Sequence, residues 1–72
     1  MSEQVAIRDG VARLTVGAGT EEDAITMGRR YLERRGWHTG TADVLGTFVP
    51  KIGVIGYRAW RLRVVVNRAD GR

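Results

Sequence analysis

Residues 20–36 read TEEDAITMGRRYLERRG, and they form a complete helix with both of its ends written in. Thr20 is of a type that caps a helix start with its side-chain oxygen. Glu21, Glu22 and Asp23 then sit at the positive end of the helix dipole, and Arg34 and Arg35 at the negative end. Gly36 suits the left-handed position that closes a helix. At 100° per residue, Ala24, Ile25, Met27, Gly28, Tyr31 and Leu32 fall on one side, which is predicted to be buried. Glu22, Asp23, Thr26, Arg29, Arg30, Glu33 and Arg34 fall on the other, a solvated and partly charge-paired face. Gly28 costs about 1 kcal/mol of helix propensity relative to alanine. Its place on the apolar side therefore predicts a close approach of the helix to whatever it covers.

Outward from this helix, the segments on either side read as strands. Upstream, QVAIRDGVARLTV (residues 4–16) reads as two strands about Asp9-Gly10, a pair that supplies the positive φ angles of a tight hairpin turn. Gln4–Arg8 reads either as a first strand or as a loose terminus. In the following strand Ala12, Leu14 and Val16 alternate with Val11, Arg13 and Thr15. Downstream, residues 37–45 (WHTGTADVL) form a third strand, 46–56 a loop containing Val49-Pro50, and 57–67 the last strand. In the last strand Trp60, Leu62, Val64 and Val66 alternate with Tyr57, Ala59, Arg61, Arg63 and Val65. The expected architecture is α+β, a two-layer β(β)αββ unit with one helix packed on a three- or four-stranded antiparallel sheet. Residues 1–72 make a single small domain, with frayed ends at about 1–3 and 68–72.

One helix covers one face of a sheet. Leu14, Val16, Trp60, Leu62, Val64 and Val66 match the helix. The opposite face is then left to Val11, Arg13, Thr15, Tyr57, Ala59, Arg61, Arg63 and Val65.

A chain of 72 residues buries only about 60% of the surface its unfolded form exposes. Such a core needs good packing, a ligand or another chain as support. Cysteine is absent, which excludes disulfides and thiolate metal sites, and His38 is the single histidine, which excludes a histidine cluster within one chain. No metal and no cofactor are expected. The only serine is Ser2, so no serine or cysteine nucleophile accompanies His38, which reads as a surface or edge residue. The paired carboxylates at the helix start are explained by capping. No catalytic residue is assigned, and the chain does not read as an enzyme. VGAGTEED (residues 16–23) has the outline of a strand–GxG–helix phosphate loop. It lacks the third glycine, and three acids in the first turn repel a phosphate there.

No apolar run reaches the length of a membrane span, and the polar N-terminus lacks that of a signal peptide. A cytoplasmic location is expected. Charge is unevenly spread: six arginines and six acids balance in residues 1–35, while 36–72 hold six cations against Asp43 and Asp70. The whole net charge of +4 thus lies in the second half, where it attracts polyanions. Eleven of the twelve cations are arginine, which favours forked, planar hydrogen bonding, although a GC-rich coding bias yields the same composition.

Two functions follow. The first is a non-enzymatic binding and assembly module that forms a homo-oligomer through the open sheet face or the 46–56 loop. That loop holds Phe48, Val49, Ile52, Val54 and Ile55, more apolar side chains than a loop ordinarily exposes. The second is a nucleic-acid-binding protein using Arg13, Arg58, Arg61 and Arg63, with Tyr57 stacking on bases. The two tryptophans, Trp37 and Trp60, read as packing residues in either case.

The chain also resembles the Jag N-terminal domain, a bacterial βαββ module found ahead of RNA-binding domains. The resemblance lies in TEEDA (Thr20–Ala24) opening the helix and Gly36 ending it. It continues in KIGVIG (Lys51–Gly56) and in the strand with Ala59 and Arg61–Val66. The family's Lys-Gly-aromatic-aliphatic-Gly turn is altered here, since Ile52 precedes Gly53 and Val54 replaces the aromatic. Strand order, Trp37 after the helix and the Trp60-led last strand are similar to dodecins, small flavin binders that assemble into shells. The helix here is shorter than theirs, and the connection after Trp37 is longer. Both resemblances imply βαββ topology and an association role.

Overall fold

In a computed structural model, which describes residues 5–49 and 58–68, the chain forms β1 (Val5–Arg8), β2 (Val11–Ala18), α1 (Glu21–Arg34), β3 (Trp37–Phe48) and β4 (Arg58–Arg68). The four strands make one antiparallel sheet in the order β1-β2-β4-β3, and α1 packs on one of its faces. This is the two-layer α+β arrangement read from the alternation. Gln4–Arg8 resolves in favour of a strand, since Val5–Arg8 pairs with Leu14–Val11.

The turns do what their residues dictate. Asp9 and Gly10 both have positive φ, 53° and 75°, the pairing that matches a hairpin turn to the twist of its strands. The Gly10 carbonyl also accepts a hydrogen bond from Val66 N–H at 2.9 Å, which ties the turn to β4. Thr20 caps the helix, its Oγ1 accepting from Asp23 N–H at 3.1 Å. Gly36, at φ 89°, closes the helix by donating to the Glu33 carbonyl.

The core lies between α1 and the sheet. Ala12, Leu14 and Ala18 from β2 and Leu62, Val64 and Val66 from β4 are buried against Ala24, Gly28 and Leu32 of the helix. Val16, Ile25, Tyr31, Trp37, Val44 and Trp60 pack around them. Trp60 spends its polar atom internally, Nε1 donating to the Ala18 carbonyl at 2.9 Å. Gly28 sits at the closest approach: a Cβ placed there would lie 2.7 Å from Leu62 Cδ1.

Three expectations require correction. Met27 is 48% exposed rather than buried. The residues facing the sheet follow the i, i+4 line Ala24–Gly28–Leu32, and Met27 lies about 100° around the helix from Gly28. Next, β3 does not stop at residue 45. Gly46, Thr47 and Phe48 continue it, opposite Arg61, Trp60 and Ala59, so the first part of the expected 46–56 loop is strand. Finally, Arg68 belongs to β4 rather than to a frayed tail.

Candidate nucleic-acid interface

Strand pairing arranges the open face in rows. Across β1, β2, β4 and β3, one row runs Ala6, Arg13, Arg63, Asp43. The next, toward one end, runs Thr15, Arg61, Gly46, and the one beyond it Gly17, Ala59, Phe48. On the other side of Arg13 the row is Arg8, Val11, Val65. Successive rows are two residues apart, about 6.5–7 Å. Four arginines, Arg8, Arg13, Arg61 and Arg63, therefore share a surface that α1 does not cover.

Among the described residues, their contacts leave most of that charge available. Arg63 Nη1 lies 3.5 Å from Asp43 Oδ2, with both side chains substantially exposed. A pair of that length and exposure stabilises by about 0–1 kcal/mol. Arg13 stands directly opposite Arg63 rather than opposite an acid. Arg61 lies over the Phe48 ring, 5.1 Å from its centroid. That contact places a planar cation beside an exposed aromatic. Arg8, Arg13 and Arg63 line a concavity of about 430 Å³ together with Ala6, Asp9 and Val11.

Of the residues read as nucleic-acid contacts, the structure brings Arg13, Arg61 and Arg63 together. It does not bring Arg58 to them. Arg58 pairs with buried Ala18 and shares the parity of Trp60, which puts it on the helix side of the sheet. Tyr57 lies outside the described residues. Arg8 was missed by the sequence reading, although its place opposite Val11 follows from the Asp9-Gly10 turn once Gln4–Arg8 is taken as a strand. Phe48, read as an interface residue, supplies the aromatic on this face.

Of the other interface residues, Val49 is 69% exposed just beyond β3, while Ile52, Val54 and Ile55 lie outside the described residues. Leu45 was not singled out, yet it is 54% exposed at an irregularity between Val44 and Gly46. His38 is exposed on β3, opposite Asn67. Among the described residues no group of three histidines, cysteines or acids is placed to hold a metal ion, and no helix is long and apolar enough to cross a membrane.

No protein-family model, curated protein or solved structure matches this chain.

Proposed function

We propose that this chain is a non-enzymatic module that binds single-stranded nucleic acid on its open sheet face. The observation that carries the reading is the cross-strand row pairing Arg13 with Arg63, followed by the Arg61–Phe48 stack in the rows beyond. Adjacent like charges cost stability unless something anionic separates them. Phosphates are suited to that place, and guanidinium planes and aromatic rings accept unpaired bases by stacking.

The four arginines also bear on the assembly reading. Two copies meeting face to face would set eight guanidiniums against each other, with two Asp43 carboxylates as relief on the sheet itself. Self-association is therefore better supported at the end of β3, where Leu45, Phe48 and Val49 are exposed. Light scattering on the free chain tests it. A Leu45→Lys variant should lower the molar mass if this patch joins copies, and a monomeric wild-type chain would remove the reading.

The nucleic-acid reading is tested by fluorescence anisotropy of a labelled single-stranded oligonucleotide over a NaCl series. Three to four neutralised phosphates predict that log K falls against log[NaCl] with a slope of about −2 to −3. No binding at low salt, or affinity independent of salt, would exclude it.

A further inference from the structure

We infer that the concavity walled by Arg8, Arg13 and Arg63 takes a phosphate monoester, the phosphorylated end of a nucleic-acid strand, in preference to an internal phosphodiester. The inference rests on the nucleic-acid reading and deepens it.

The argument is one of charge and place. The residues lining the concavity carry three guanidiniums and one carboxylate, Asp9, a local excess of two positive charges. A phosphodiester brings a single negative charge. A phosphate monoester brings about −1.5 to −2 at pH 7, because its second pKa is near 6, and it adds oxygens able to accept from several guanidiniums at once. The Asp43 carboxylate lies 3.5 Å from Arg63 Nη1, well beyond the about 2.7–2.9 Å of a strong charge-assisted bond. Arg63 itself lines the concavity, so its guanidinium is within reach of a ligand held there.

The location also suits an end rather than the middle of a strand. Arg8 closes the row beside the Asp9-Gly10 turn, where β1 and β2 meet. The Arg61–Phe48 stack lies two rows in the other direction from Val11, past Arg13 and Arg63. A strand laid along the face can therefore place its terminal phosphate by Arg8 and its following bases toward Phe48. The volume of about 430 Å³ accommodates a phosphate with its sugar. The short side chains of Ala6 and Val11 lie between the arginines and keep the space open.

The test compares oligonucleotides of one sequence carrying a 5′-phosphate, a 3′-phosphate or hydroxyls at both ends, against wild type and Arg8→Gln. Wild type should bind one of the phosphorylated forms about tenfold or more tightly than the unphosphorylated form, the effect of an added charge-assisted contact. That ratio should collapse toward one in Arg8→Gln. It should also shrink when the pH is lowered to 5, where the monoester loses its second charge while arginine keeps its own. Equal affinity of wild type for all three ends would overturn this inference and leave the nucleic-acid reading standing. A preference that survives Arg8→Gln would overturn the assignment to this concavity. Failure of every oligonucleotide to bind would overturn both.

Discussion

Replacing Arg61 and Arg63 with glutamate together is expected to weaken single-stranded oligonucleotide binding by about 10²–10⁴-fold. Each arginine–phosphate contact is charge-assisted and contributes about 1.5–3 kcal/mol, so two lost contacts span that range. The two glutamates then add repulsion across adjacent rows of the same face. The fold should survive, because Arg61 is exposed, the Arg63 side chain is 38% exposed on the uncovered face, and neither belongs to the core. The main structural cost is a new carboxylate facing Asp43, where the Arg63 ion pair of about 0–1 kcal/mol stood before. Arg30→Glu/Arg34→Glu makes the same change in net charge on the exposed side of α1. It should reduce affinity by less than about tenfold, because solvent-exposed charges beyond a Debye length are largely screened at moderate salt. Equal losses in the two variants, measured by anisotropy at one salt concentration, would mean that net charge rather than this face governs binding.

The second large effect concerns the helix–sheet junction. Leu62→Ala is expected to destabilise the domain by about 2–5 kcal/mol, the range for a buried leucine that leaves a cavity. Leu62 is fully buried at the centre of the sheet, between Leu14 of β2 and Val44 of β3, with Gly28 of the helix against its Cδ1. A 72-residue domain has about 4–11 kcal/mol of total stability by size alone. The variant should therefore lose a large share of its stability, seen as a urea midpoint well below that of wild type at room temperature.

Gly28 reports on the same contact from the other side. Gly28→Ala gains about 1 kcal/mol of helix propensity. It also forces its Cβ to within 2.7 Å of Leu62 Cδ1, and overpacking costs about 1–3 kcal/mol. The net result should be a loss in the wild-type background and a smaller loss, or a gain, beside Leu62→Val. Additive effects in that double variant would show that the two residues are not in contact.

Local signals made most of this fold legible. The helix was readable because Thr20, the three acids after it and Gly36 act within a turn of the groups they satisfy. The two faces of β2 and β4 were readable because alternation has a period of two and each strand is apolar on one side. Gly28 carried its meaning in its cost, which only close packing explains.

What escaped depends on pairing partners rather than on neighbours in the chain. Gly46 reads as a loop residue, yet here it sits in β3 opposite Arg61 just after an irregularity at Leu45, a place where strands commonly accept glycine. Arg8 joined the open face only through the register of the β1–β2 hairpin. Arg58 is different: its parity with Trp60 was already in the sequence, and grouping it with its neighbour Tyr57 obscured that. Met27 fell at the rim of the helical arc, where 100° per residue does not decide between buried and exposed.

The central claim is that ligand meets the sheet face left bare by α1. Two-dimensional NMR of the arginine side-chain Nε–Hε groups, recorded with and without a single-stranded oligonucleotide, addresses it residue by residue. The resonances of Arg8, Arg13, Arg61 and Arg63 should shift together at low salt, while those of Arg29, Arg30, Arg34, Arg58 and Arg68 stay in place. Shifts confined to the helix-side arginines, with the four on the sheet face unmoved, would contradict it.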